Sequence, residues 1–552
     1  MNGLLLLVLG CCWFALSYRF YGRRLERIFG VDAARKTPAL TRPDGVDYVP
    51  TRPLVLFGHH FASIAGAGPI VGPILALHFG WLPVVLWIVF GCVFVGAMHD
   101  FAAMYISVRD EGRSIGHEIE RRLGYGGRQS FILFSWATLI LVVAVFADLV
   151  AVTFARQPAV ATSSMLMIAI APVFGWLVHR RNAPLLPISI IFVGILILCV
   201  WLGSLYPLDL AAITGLAPEK VKLIWLAILL CYSFVASVLP VWILLQPRDY
   251  LNSFLLYGML LAGFAGIVLA RPVLAAPVFS GWSISGGDAN PVYLFPLLFV
   301  TVACGACSGF HALVASGTTS KQLSSERHIL PIGYGSMLVE GALALMAVIS
   351  VAYLSRDGMA EAMATGGPVV AFSTGLGSFI AVAGVNHELA GNFFMLAISA
   401  FLLTTLDTAT RLARFAWQEL FLPRGGDERH MHRPRHLICS NRYNATLVVV
   451  LFAGYLAFSG QYSVIWPMFG ASNQLLAGLT LLVVTVFLRS TGKPVWVSLL
   501  PMLFMMITCI AALLLLLRAQ LGQSIILVAM ICLLLVMSLV LVLQAARLFV
   551  KH

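Results

Sequence analysis

Hydrophobic residues in this chain come in long runs, with neither the strict alternation of half-buried strands nor the narrow stripe of surface helices. Runs able to cross ~30 Å of hydrocarbon recur throughout: roughly 2 to 18, 54 to 78, 81 to 108, 130 to 155, 162 to 178, 184 to 203, 222 to 245, 253 to 271, 291 to 316, 331 to 354, 391 to 410, 445 to 460, 464 to 488, 494 to 517 and 523 to 545. Only helices or closed barrels satisfy their backbone in lipid, so the pattern predicts an all-α polytopic membrane protein with about fifteen crossings. The longest polar stretches, about 19 to 53 and 411 to 442, are predicted loops.

Composition agrees. Hydrophobic residues make up 60% of the 552 and charged residues 11%, where soluble domains run near a quarter charged, so no sizeable soluble domain remains. The formal net charge of +12 would suggest nucleic acid in a soluble protein. Here the basic residues sit in loops that the span pattern puts on one side, so the positive-inside rule places the N-terminus outside and the C-terminus in the cytoplasm, with no nucleic-acid partner. If both 368 to 385 and 391 to 410 crossed, the basic stretch from Arg411 to Arg442 would face outward. The glycine-interrupted "PVVAFSTGLGSFIAVAGV" is therefore predicted as an outer hairpin or re-entrant element. Nine of the ten cysteines fall in apolar runs and read as small core residues. The first segment lacks a basic n-region and a small-residue cleavage site, so it is expected to be an uncleaved helix.

Two spans are broken by residues that helices avoid. "GHHFASIAGAGPIVGP" (58 to 73) carries two histidines, four glycines and two prolines. Interrupted backbone survives in a membrane only where it faces protein, an ion or water. His59, His60, Ser63, Gly66 and Gly68 are thus candidate substrate-binding residues, although Gly66 and Gly68 would also suit a plain close helix crossing. "ACGACSGFHALVASGTT" (303 to 319) has the same character and runs the opposite way, which adds Ser308, Gly309 and His311. Paired broken helices of opposed direction are the mark of an inverted-repeat secondary carrier.

Six blocks resemble signature stretches of the carbon starvation protein A (CstA) family: "GHHFASIAGAGPIVGP", "LPVWILLQPRDYL", "CSGFHALVASGTT", "PIGYGSMLVEG", "TTLDTATR" and "WPMFGASNQLLA". They follow the family's order over about residues 54 to 480. The resemblance implies a bacterial inner-membrane carrier with a LeuT-type inverted-repeat core plus extra helices, associated with uptake of peptides or, in some members, pyruvate. It divides the chain into an N-terminal helix and basic loop (1–53), a transporter core (54–490) and a C-terminal helix pair (491–552).

For coupling, Glu340 is an intramembrane carboxylate able to carry a proton, with Asp148 and Asp100 behind it. A Na⁺ alternative uses the hydroxyls of Thr404 and Thr405 with carbonyls near Ala65; LeuT-type carriers use the corresponding span in this way. Asp407 and Arg411, four apart on one helix, are expected to bridge each other. Arg248 and Asp249 are expected at an inner membrane edge, as a gate or a loop anchor. A rival of another class is a redox or metal protein. Cys304, Cys307 and His311 at i, i+3 and i+7 would share one helix face, and with His59, His60 and His99 could hold zinc or a b-type haem. The basic "HMHRPRH" (430 to 436) could contact lipid headgroups or a metal. No Walker A, G-x-S-x-G or H-E-x-x-H stretch supports ATP use or hydrolysis, so an enzyme is not expected.

Overall fold

A computed structural model describes residues 1–44, 48–181, 183–240, 243–285, 291–421 and 441–551. Among these, twelve helices are long and apolar enough to cross a membrane, and two further bent pairs pass the same test. The apolar helix Arg442–Phe458 and the broken segment Leu294–Thr301 plus Gly309–Gly317 complete the set of spans expected from the hydrophobic runs. Among the described residues one strand pair forms, short and antiparallel, Ser283–Ser285 with Pro291–Tyr293, opposing Ser283 to Tyr293.

The two interrupted runs are broken where glycine and proline predicted. Pro53–Ile64 and Gly68–Phe79 meet at 43°. The second break is longer, leaving Val302 to Ser308 outside helix. Around both lie the most deeply buried spans, Gly124–Arg156, Glu326–Ala352, His387–Leu420 and Val464–Ser490, while Leu185–Leu205 and Ile525–Gln544 keep mostly exposed apolar surface, as lipid-facing helices do.

Several boundaries differ from the sequence expectation. The polar residues from Arg19 to Arg27 are helical, because the first helix continues through a π-turn at Tyr18–Gly22 to Phe29. Arg411 likewise lies within His387–Leu420, so that the basic stretch begins as helix. The "HMHRPRH" stretch lies outside the described residues. The segment expected as an outer hairpin starts earlier, at Arg356. It turns through 118° between Arg356–Ala364 and Gly366–Ala381, where Gly367 adopts a φ of 72° and Pro368 follows. Left-handed glycine followed by proline ends one helical direction and permits another.

The stretch around Arg248 also needs correcting. The helix begins at Leu245, with Pro247 in its first turn where a missing amide costs nothing. Arg248 and Asp249 consequently lie in a helix and are buried, at 2% and 1% exposure, instead of standing in a loop between spans.

Candidate functional site

The two breaks touch. A side chain at Gly68 would collide with Cys304 Sγ and Cβ, and one at Gly66 would come to 2.8 Å of Thr405 Oγ1. Glycine is thus required at these positions by close approach. Between the breaks lies a cleft of about 10 Å³ walled by Phe146, Phe310 and Phe469 with Gly66, Gly68, Cys304 and Thr405. That is room for about one water, so the conformation is closed around its centre.

The half-helices end differently. No side chain caps the N-terminus of Gly68–Ala76, and Pro69 sits in its first turn. At Gly309–Gly317 the Phe310 amide donates to Asn473 Oδ1 at 2.9 Å, while Asn473 Nδ2 donates to Ser308 Oγ at 3.0 Å. Gly309 lets the second half-helix lie directly on the backbone of Asn473 and Ala477. Gln474 Nε2 binds the Phe299 carbonyl near the other side of the break at 2.8 Å. The sequence reading missed Asn473 and Gln474 as site residues. Their signal was an Asn-Gln pair inside an apolar span, where uncompensated amides are costly.

Behind the second break is a chain of four buried titratable groups. Asp100 Oδ1 accepts from His99 Nδ1 at 2.7 Å, and Asp100 Oδ2 accepts from His311 Nδ1 at 2.8 Å. His311 Nε2 faces Glu340 Oε2 at 3.4 Å, and all four side chains are fully buried. An ionised carboxylate only accepts hydrogen bonds, so Asp100 fixes the protonated nitrogen of both rings. His311 then turns its other nitrogen to Glu340. Neither Glu340 oxygen has a hydrogen bond in this geometry, and closing the gap by about 0.5 Å would make one able to carry a proton between carboxyl and imidazole. Gly96 and Gly333 permit this assembly: the Ala306 carbonyl packs on Gly96, and Gly333 packs on the Asp100–Phe101 backbone.

Other candidates are more dispersed. His60 Nδ1 pairs with Thr319 Oγ1 at 2.8 Å and its Nε2 is buried without a partner. Ser63 Oγ returns to the His59 carbonyl at 2.8 Å. Thr405 Oγ1 is buried without a partner at the first break, where Ala65 ends the half-helix. Thr404 Oγ1 is instead taken up by Asn252 Nδ2 at 3.1 Å and the Ala400 carbonyl at 3.0 Å. Asp148 stands apart from Glu340, paired with Lys222 Nζ at 2.6 Å. Asp407 does not bridge Arg411. It pairs with Arg248 and accepts from Tyr232 at 2.8 Å, while Arg411 binds the carbonyls of Ala236 and Leu239. The helix start at Leu245 is the cause, because it carries Arg248 inward to Asp407.

The expected Cys304, Cys307 and His311 face is not formed either. Both cysteines lie in the seven-residue break, so the i, i+3, i+7 register does not apply. Cys304 Sγ meets Asn473 Nδ2 at 3.6 Å and Ser308 Oγ at 3.8 Å. Among the described residues no three His, Cys, Asp or Glu side chains converge into a metal-sized cluster, and His59, His60 and His99 do not complete one. Zinc and haem therefore enter no step below.

The overall fold has a solved counterpart. The manganese transporter of Eremococcus coleocola superposes with a TM-score of 0.52, covering 92% of this chain and 99% of that one at 11% identity, a likeness of fold alone. Two broken helices around a central cleft, in a chain of this architecture, define the class as the LeuT-type fold. Within that class the chain belongs to the carbon starvation protein CstA family, whose sequence model matches residues 2–365 and 356–512. The peptide transporter CstA of Campylobacter jejuni is 36% identical, over 92% of this chain and 79% of the relative. Escherichia coli has two similar proteins: its peptide transporter CstA, 34% identical over 93% of this chain and 81% of the relative, and its pyruvate/proton symporter BtsT, 31% identical over 92% and 80%.

Proposed function

We propose that this chain imports small carboxylate nutrients, short peptides or pyruvate, together with protons, by alternating access across a bacterial inner membrane. The N-terminus lies outside and the C-terminus in the cytoplasm, an orientation supported by the one-sided basic loops. The observation that carries the coupling is the Asp100–His311–Glu340 chain, whose middle member lies on the second broken helix. A proton on Glu340 removes the cost of a buried, unbonded carboxylate. Its loss favours a cationic His311 that draws Glu340 in, and this moves the half-helix carrying Gly309 against Asn473.

Cargo binds at the first break. The N-terminus of Gly68–Ala76 has no side-chain cap and offers the Gly68 amide and a positive dipole to a carboxylate, Pro69 having no N–H and the Ile70 amide turning back to the Ala67 carbonyl, and the phenylalanine walls suit a small apolar body. Gly66 and Gly68 form this end, with His60 one turn back on the preceding half-helix, and Ser308, Gly309 and His311 respond to it across the contact of Gly68 with Cys304.

One observation favours a second coupling chemistry. The unpartnered Thr405 hydroxyl beside Gly66 is a ready oxygen ligand for Na⁺ together with carbonyls near Ala65. Uptake of labelled pyruvate, alanine and dialanine into proteoliposomes decides between them. The proposal expects one of the three to accumulate under an imposed inward pH gradient without Na⁺. Accumulation driven only by a Na⁺ gradient at equal pH would replace the proton by Na⁺.

A further inference from the structure

A separate cavity of about 550 Å³ opens at the molecule's end where the basic loops gather, with Arg35, Arg109, Arg121, Arg122 and Lys493 on its walls. These five cations come from separate segments: the link after the first helix, the end of Ala97–Arg109, the start of the helix Ile115–Arg156, and the turn after Tyr462–Ser490. Three carboxylates lie among them. Glu326 pairs with Arg109 at 3.0 Å, Glu118 pairs with Arg122, and Asp110 lies 3.6 Å from Arg121. Five positive charges less three negative leaves two, those of Arg35 and Lys493. Lys493 Nζ donates only to a neutral acceptor, the Phe29 carbonyl. The Arg35 guanidinium has no partner among the described residues.

The floor is aromatic and holds the cations in place. Arg109 lies over the Tyr105 ring at 5.0 Å and Arg122 over Phe487 at 5.1 Å, with Lys493 5.7 Å from the Tyr105 ring centre. Ser490 Oγ, held by Arg122 Nη1 at 2.7 Å, adds a hydroxyl to the wall. Burial first, and then the neighbouring Arg109 guanidinium, lowers the Lys493 ammonium below its ordinary value.

We propose that this cavity is a binding site for a phosphate-bearing polyanion, either the headgroup of an anionic phospholipid or a soluble di- or triphosphate. Planar guanidinium forks match phosphate oxygens two at a time, and the volume suits a group of that size. A bound anion would join the end of the first helix, the span that carries Asp100 and the span that carries Asn473. Asp100 lies nine residues from Arg109 in one helix, so occupancy would reach the coupling chain through a rigid rod of about 14 Å.

Two arms separate the sources. Protein in zwitterionic nanodiscs is titrated with pyrophosphate by calorimetry, and detergent-purified protein is titrated with cardiolipin by native mass spectrometry. In at least one arm the wild type should bind, and Arg35→Ala/Lys493→Ala should weaken that binding by about tenfold or more, since charge-assisted contacts are lost. Because Lys493 also bonds Phe29, Arg35→Ala alone is measured too; its guanidinium has no hydrogen bond or ion pair among the described residues, and it should give part of the loss with unchanged melting. Binding of pyrophosphate identifies a soluble ligand and binding of cardiolipin a lipid. Binding in neither arm, or binding that both variants leave intact, overturns the site.

Discussion

The two broken helices are related in direction but not in chemistry. The first, between Pro53–Ile64 and Gly68–Phe79, is a three-residue interruption with an uncapped half-helix and a free hydroxyl opposite it. The second spans seven residues, has its half-helix capped by Asn473, and is backed by His311, Asp100 and Glu340. The Gly68 amide is left for a carboxylate, whereas the Phe310 amide is already taken by Asn473. A carboxyl–imidazole chain can store a proton, whereas a lone hydroxyl cannot. This difference is the basis for the proposal that cargo binds at the first break and protons couple at the second, the two breaks touching where Gly68 packs on Cys304.

The strongest way to break this division is steric. Gly68→Leu should abolish both counterflow exchange and net uptake, since even a Cβ there collides with Cys304. The protein should still insert, as judged by detergent-stable gel filtration. Normal exchange would remove cargo from the first break. Asp100→Asn should act on the other side, because an amide can no longer accept from both His99 and His311. Accumulation should fall about tenfold or more while counterflow falls by less than about threefold, the cost of one charge-assisted bond falling on coupling alone. Equal losses in both assays would mean that Asp100 shapes the cargo site instead.

Milder effects sharpen the contrast. Asn473→Ala removes a cap, at a cost of about 1 kcal/mol to the second half-helix, and should slow net uptake several-fold without changing the apparent cargo affinity. An affinity change measured in counterflow would put cargo at the second break. Lys222→Ala should have the smallest effect on transport. It leaves the buried Asp148 carboxylate, 8% exposed, without its partner, lowers thermal stability by about 1–3 kcal/mol, and leaves the accumulation ratio unchanged. A changed ratio would return Asp148 to the coupling machinery.

The spans and both breaks were legible in the sequence because hydrocarbon imposes a single rule on backbone amides, and glycine and proline report where that rule is relaxed. Glu340 stands out in the sequence as an intramembrane carboxylate, and the structure buries it beside His311. What the sequence could not give was partnership. His311, Asp100 and Glu340 meet across separations that no local pattern encodes, and Asn473 reaches Phe310 from 163 residues away. The Asp407–Arg411 expectation failed because i,i+4 spacing permits a bridge without compelling it, and a buried arginine on another helix binds more firmly. The cysteine face failed because helical periodicity was applied through a break.

The division of labour rests most heavily on Glu340, and one variant tests it directly. Glu340→Gln keeps the size of the protonated acid but cannot release a proton. In proteoliposomes with an inward pH gradient, it should carry cargo in counterflow at near wild-type rates and fail to accumulate it above equilibrium. Accumulation at the wild-type level by this variant would contradict the account and move the coupling ion to Thr405 and the first break.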